Sequence, residues 1–231
     1  MRALLIGDIH TEAVLLRKVI AHGRRVGVDA ILSVGDIVDG PGDPHACIAQ
    51  LRAEGALVVR GNHERWLAEG RPMEPYPYQS AELEWLTSLP ATREIDTPTG
   101  RALLVHGVGA DDSAELDPYT RDRTLESLEP LWQVVRAGEH RWMIGGHTHR
   151  AMVRTIEQLT IVNPGTLVLE QDPSFVVADF ASGDLEYWTL LPSLQRRATW
   201  SARSPADADW NLITARARFS TSARDMDSDR R

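Results

Sequence analysis

One cysteine, Cys47, in 231 residues leaves no partner for an intramolecular disulfide and no set of thiolates for a Cys-based zinc site. Excess positive charge is missing too: 25 Lys and Arg stand against 33 Asp and Glu, for a net charge of −8 and a pI near 5.5. A sequence-independent grip on nucleic acid or on an anionic membrane needs a broad basic face, so both are disfavoured, although the many arginines leave room for a local basic patch. No apolar run approaches the length of a membrane span, and residues 1–6 are too short for a signal-peptide core before Asp8 interrupts them. There is no internal repeat. The expectation is a soluble cytoplasmic protein without membrane contact. A hydrophobic content of 42% over this length supports one sizeable domain with its own core.

What the chain does have is one construction used repeatedly. The strand-length apolar run Ile31-Leu32-Ser33-Val34 halts at Gly35, where the backbone can turn sharply, and presents Asp36 where a buried strand would leave a sheet. Leu4-Leu5-Ile6-Gly7 leads in the same way to Asp8 and His10, and Leu57-Val58-Val59-Arg60-Gly61 to Asn62 and His63. Trp142-Met143-Ile144-Gly145-Gly146 leads to His147 and His149, and Leu103-Leu104-Val105 to His106. In parallel α/β sheets, sites assemble at the carboxyl ends of strands, so these residues should converge.

Taken in order, Thr11 should cap a helix carrying Leu16, Val19 and Ile20 at helical spacing and ending at Gly23. A strand over 29–34, a helix over 44–52 and a strand over 56–60 complete two β-α-β crossovers and so predict a parallel sheet. Residues 71–80, with three prolines and two tyrosines, read as an ordered loop or mobile rim, followed by a helix over 81–89 that sends Trp85 into the core. Residues 95–106 read as two strands joined by the Pro98-Thr99-Gly100 turn. Between His106 and His147 lies an insert with a helix over 125–135, expected either to form the rim that selects substrate or merely to connect strands. From 152 to 191 the pattern is all β, with strands over 152–156, 160–162, 166–169, 175–180 and 185–190 and a hairpin turn at Gly183-Asp184. A β-α half followed by a β half is best built as two sheets packed face to face with helices outside. The domain is expected over 1–192. Residues 193–231 read as a tail, docked in part by Trp200, Trp210 and Phe219 and frayed at 225–231.

Asp8 and His10, like His147 and His149, stand two apart, so in extended chain each pair points to one side and can grip one ion. Carboxylates, an amide oxygen and imidazoles suit Mn, Fe, Zn or Ni better than Mg or Ca alone. There are more ligands than one ion needs. Two ions ~3.5–4 Å apart sharing Asp36 would use them all, a known device for phosphoryl transfer. His22, His45 and His140 lack this setting and read as surface residues.

The blocks Gly7-Asp8-Ile9-His10, Gly35-Asp36-Ile37-Val38-Asp39, Gly61-Asn62-His63-Glu64, Val105-His106-Gly107 and Gly145-Gly146-His147-Thr148-His149 occur in this order over most of 1–191. They resemble the five signature blocks of the calcineurin-like metallophosphoesterase superfamily, and Asn163-Pro164-Gly165 is similar to a further block of its small bacterial and archaeal members. The resemblance implies a four-layer αββα sandwich of two mixed β-sheets flanked by helices, with the metal site at the carboxyl ends of the strands. It assigns one metal to Asp8, His10, Asp36 and His149 and a second to Asp36, Asn62, His106 and His147. It makes His63 the acid for the leaving oxygen, oriented by Asp39. Two divalent ions, less two carboxylates and one bridging hydroxide, leave about +1 in the cleft, which draws in an anionic ester. The implied activity is hydrolysis of a small phosphomonoester or phosphodiester by in-line attack of that hydroxide, without a covalent enzyme intermediate.

One position departs from the Ser/Thr protein phosphatases of the superfamily: Asp39 is followed by Gly40, where they carry an arginine that forks the phosphate. Arg60, Arg65, Arg121, Arg123 or Arg150 could take its place, with Arg150 first because it adjoins His149. A nuclease or cyclic-nucleotide phosphodiesterase is the alternative enzyme, nucleic acid being expected only as substrate. A non-catalytic scaffold, like the retromer subunit that shares the fold, is the other alternative, and the presence of His63 counts against it.

Overall fold

The computed structural model describes residues 1–190 and 194–201. Its first strand, β1 (Arg2–Ile6), sets the layering. Successive side chains of a strand point to opposite faces, and here both faces are buried: Leu4 and Ile6 enter one apolar cluster, Ala3 and Leu5 another. Around β1 run α1 (Ala13–Val26), β2 (Ala30–Ser33), α2 (Pro44–Ala53), β3 (Leu57–Val58), α3 (Asn62–Ala68) and α4 (Ser80–Ser88). The chain continues as β4 (Arg93–Ile95), β5 (Ala102–Leu104), α5 (Asp122–Glu126), α6 (Glu129–Ala137), β6 (Trp142–Ile144), β7 (Met152–Ile156) and β8 (Leu159–Asn163). After a 3₁₀ turn at Leu169–Gln171 come β9 (Ser174–Asp179), β10 (Asp184–Thr189) and β11 (Gln195–Ser201).

Two mixed sheets result, ordered β11-β10-β9-β1-β2-β3 and β4-β5-β6-β8-β7. Leu15, Leu16 and Val19 of α1, Ile48 and Leu51 of α2 and Leu86 of α4 pack on Leu4, Ile6, Ile31 and Val58 outside the first sheet. Leu5, Leu32 and Val176 meet Leu104, Ile144 and Val162 between the sheets, where Trp142 stands edge-on to Phe180 at 5.4 Å. Leu131 and Val135 of α6 cover Leu103, Met143 and Ile161 on the far side. The layers are therefore helix, sheet, sheet, helix. Each fully buried leucine among them contributes about 1.5–3 kcal/mol.

The halves of the chain interleave more than their sequence suggests, because β9 pairs antiparallel with β1 and places the C-terminal hairpin in the first sheet. Other expectations are corrected locally. Thr11 does not cap α1: its hydroxyl donates to the His10 carbonyl and accepts the Gly42 N–H, tying two loops together. The helix also passes Gly23, which lies against Leu4 and Val28, and ends at Gly27 in the left-handed conformation. The expected helix over 125–135 is split into α5 and α6, with Pro130 in the first turn of α6. Residues 166–169 form no strand. Thr166 makes an isolated bridge to Asp8, and the Leu169 N–H finds Glu12, so these backbone groups are satisfied by loops instead of a ladder. Trp85 is half-buried against the first helix layer. Residues 195–201 extend the first sheet as β11, with Trp200 edge-on to Trp142; Trp210, Phe219 and 225–231 lie outside the described residues.

His22 and His140 are not surface residues, with 2% and 9% exposure. His22 is wedged between Phe175 and Trp188, and the Arg25 guanidinium donates to its Nδ1 at 2.8 Å. Burial first, and Arg25 second, push its pKa below the ordinary 6.5. A folded-state pKa lowered in this way means the unfolded chain takes up more protons below about pH 6.5, so stability falls with pH there. Between pH 7.5 and 5.5 the urea midpoint should drop less in His22→Leu than in wild type; equal drops would show that His22 does not carry this dependence.

Candidate metal centre

Five strand-end loops meet at the carboxyl edges of the facing sheets, and each holds its polar residue by backbone constraint. His10, Asp36, Asp39, His147 and His149 all have positive φ, between 42° and 66°, costing on the order of 1 kcal/mol each in side-chain-bearing residues. Gly35 turns at φ 97°, as its place in the sequence predicts, and a Cβ on Gly61 would land on the Asp36 carboxylate. The loops are stitched to one another. The Asp36 carbonyl accepts the N–H groups of Ile9 and His10, both at 2.8 Å, and Asp8 Oδ1 accepts the His147 N–H at 2.9 Å across the two sheets.

Asp8, His10, Asp36 and His149 bring one ligand atom each within 4.8 Å of one another, and so do Asp36, His106 and His147; Asp36 belongs to both groups. Asn62 Oδ1 joins the second, 2.9 Å from His106 Nε2 and 3.0 Å from His147 Nδ1. The tautomers can be read from the partners. His10 Nδ1 donates to the Asp39 carbonyl and His149 Nδ1 to Gln171 Oε1, which leaves the two Nε2 lone pairs facing each other at 3.1 Å. Such an approach repels unless a cation lies between them. Asp8 Oδ2 is buried with no hydrogen-bond partner, and His106 Nδ1 is fixed on the Val34 carbonyl, aiming its Nε2 at Asp36 Oδ2 3.2 Å away. The donor set therefore fits divalent ions of the borderline class.

The electrostatics call for the same thing. Burial, the largest effect on His106, opposes its protonation, yet Asp36 and then Asp8 outweigh it and raise the pKa to about 10. Asp36 is held well below the usual carboxylate range: burial acts upward and is outweighed by His106, then His63 and His10. The two carboxylates, 0% and 1% exposed, thus raise the proton affinity of His106, whereas at His10 and His147 burial wins and lowers the pKa below the ordinary 6.5.

His63, the second residue of α3, stands beside these groups. Its Nδ1 is 2.8 Å from Asp39 Oδ2, and Nε2 is 3.8 Å from Asp36 Oδ2. Asp39 also accepts the N–H groups of Met73 and Glu74, both at 3.3 Å, which binds the proline-rich loop to the site. His10, His63 and His149 open into a cleft of about 350 Å³. Its walls come from Glu12, Asp39, Gly40, Pro41, Met73, Glu74, Val168, Glu170 and Gln171, so of the two expectations for the insert, rim or connector, the rim falls to other segments. The insert packs elsewhere. Arg65 forks Asp112 at 2.7 and 2.9 Å, and Arg150 binds Asp117 at 3.1 Å and lies over Tyr119. Arg60 and Arg65 face a separate hollow with Asp111 and Asp112. Arg121 and Arg123 are exposed, and among the described residues no arginine lines the cleft.

Two positioning residues escaped the sequence reading. Gln171 orients His149 from the 3₁₀ turn, between the segments 166–169 and 175–180 expected to be strands, and no local pattern signals it. Glu64 is 1% exposed, and its carboxylate accepts four backbone N–H groups, from Asp36, Ile37, Val38 and Gly61, at 2.7 to 3.2 Å. Its position three residues after Gly61, a glycine counterpart of the capping box, was the available signal. In Glu64→Gln an amide NH₂ would face donors. Urea denaturation of the metal-free protein should show a loss of roughly 2–4 kcal/mol; a change within about 0.5 kcal/mol, the range of ordinary surface substitutions, would contradict this role for Glu64.

Comparison with known proteins gives this geometry a family. The model of the calcineurin-like phosphoesterase superfamily domain matches residues 1–183. Serine/threonine-protein phosphatase 1 of Salmonella typhimurium is 37% identical over 68 residues, a stretch covering 29% of this chain and 32% of the phosphatase. The crystal structure of a metallophosphoesterase from Sphaerobacter thermophilus superposes with a TM-score of 0.59 at 23% identity, over 87% of this chain and 90% of that one. Zn-bound Vps29 from Entamoeba histolytica superposes with a TM-score of 0.56 at 19% identity, over 87% and 99%. The two structural likenesses speak for the fold, whereas the family match spans all five strand-end loops that build the site. The chain belongs to the calcineurin-like phosphoesterase superfamily.

Proposed function

We propose that the protein is a metal-dependent phosphohydrolase cleaving a phosphomonoester or phosphodiester. The observation that carries this is the sharing of Asp36 by two ligand groups. Asp8, His10, Asp36 and His149 would hold one divalent ion, Mn, Fe, Zn or Ni, and Asp36, Asn62, His106 and His147 would hold the other. When bound, the pair supplies Lewis acidity, which activates water near neutral pH and offsets the charge gathering on the phosphoryl oxygens.

The rest is done by the chain. Asp39 takes the Nδ1 proton of His63 in a hydrogen bond and fixes the ring, so Nε2 is the nitrogen turned to the cleft. Protonated there, His63 donates to the departing alkoxide. Its side chain is 14% exposed, open enough to exchange its proton with solvent between turnovers. Nothing in this arrangement requires a covalent intermediate. The acidic balance of the chain and the lack, among the described residues, of an arginine in the cleft favour a small ester over a nucleic acid. A scaffold on the same fold is the second reading, prompted by the likeness to Vps29. Turnover of a chromogenic ester with added Mn²⁺ separates the two.

Proton donation matters only for a poor leaving group, because a nitrophenolate departs without it. His63→Ala should keep its metal content, lose ~10²–10⁴-fold on alkyl phosphomonoesters, and retain far more activity on nitrophenyl diesters. Equal losses on both, with the metals still bound, would remove His63 from the role of acid.

A further inference from the structure

The walls of the cleft are unusual for a site that binds an anion. Beyond His10, His63 and His149, and beyond Asp39 and Gln171, which hold two of those rings, they include the apolar surfaces of Pro41, Met73 and Val168 and three further carboxylates, Glu12, Glu74 and Glu170. No arginine or lysine lines it among the described residues, and none of the three glutamates has an ion-pair partner among them. The basic groups nearest in sequence are engaged, Arg150 by Asp117, Arg65 by Asp112 and Arg71 by Glu69, and Arg197 pairs with Asp172, next to Gln171. Glu74 and Glu170 are exposed, while Glu12 is half-buried and accepts the Leu169 N–H at 3.3 Å. The carboxylates come from three separate segments, those after β1, before α4 and at the 3₁₀ turn, so they act on a bound molecule from more than one side.

This arrangement treats the reacting phosphoryl group and the remainder of the substrate differently. The phosphoryl group lies at the floor, against the histidine and aspartate cluster. Whatever extends from it passes an apolar wall and three negative charges. A second phosphate or a carboxylate on the substrate would meet repulsion with no arginine to relieve it, whereas an ammonium group would meet three counter-charges and the Met73 surface. We propose that the cleft selects phosphoesters in which the reacting phosphate is the sole anionic group and the alcohol is a cationic amino alcohol, with neutral alcohols next and anionic ones rejected. This rests on the phosphohydrolase reading and adds the substrate class to it.

The test uses three nitrophenyl phosphodiesters with one leaving group and one reacting phosphate, whose other alcohol is choline, ethanol or 3-hydroxypropionate. With the full chain and Mn²⁺, kcat/KM should fall in that order, by roughly tenfold between neighbours, the effect of three carboxylates each acting across an assumed distance of about 8 Å of water. The spread should shrink in 0.5 M salt, where screening shortens the reach of each charge to about 4 Å. It should collapse in the triple variant Glu12→Gln, Glu74→Gln, Glu170→Gln. Calorimetric binding of phosphocholine, ethyl phosphate and phosphoglycolate reads the same preference without turnover. If neither these diesters nor the matching phosphomonoesters are cleaved while the binding order holds, the phosphohydrolase reading fails and the charge selection stands. A flat or reversed binding order, or an order that survives in the triple variant, overturns the selection.

Discussion

Asp8 and Asp36 are carboxylates shut away from water at the meeting point of two sheets, and among the described residues no lysine or arginine contacts either. A buried negative charge of this kind is tolerated only when positive charge stands beside it. Here the partners are imidazoles aimed inward through one nitrogen and fixed by backbone or amide oxygens through the other. The remainder of the fold can be understood as what it takes to hold that arrangement. The strands end in step, the ligand loops run through positive φ, and glycines stand where a Cβ would strike a carboxylate.

Holding it depends on groups that never face substrate. Glu64 gathers the amides that precede and follow Asp36 together with that of Gly61, so the loops after β2 and β3 move as one piece. The Asp8 carboxylate and the Val34 carbonyl reach across to the second sheet, taking the His147 amide and the His106 ring. The site is thus closed by the packing of the two sheets, and the apolar layer of Leu5, Val34, Leu104 and Ile144 beneath it sets the spacing. Stability and site geometry share this layer.

The sequence made the site more legible than the fold around it. Glycine-ended apolar runs followed by Asp, Asn or His identify strand ends without knowledge of which strands pair, and the residues named from that pattern lie in the cluster, with His63 beside it. Pairing is another matter, because β9 reaches β1 across more than 160 residues and no local signal marks its partner. Local chemistry misled where tertiary contacts took over: Thr11 gave its hydroxyl to a loop tie instead of a cap, and 166–169 gave its amides to Thr166, Glu12 and Asp8 instead of a ladder. The walls of the cleft were unreadable for the same reason. Met73, Glu74 and Gln171 have no spacing in common, and they meet only once Asp39 and His149 draw their loops in.

The central claim is that Asp36 is shared by two ions. Elemental analysis of protein loaded with Mn²⁺ and then desalted tests it most directly, with wild type and Asp36→Asn compared. The account predicts about two ions per chain in wild type, as a dinuclear site requires, and loss from both positions in the variant, because one side chain serves both. Retention of two ions by Asp36→Asn would contradict it.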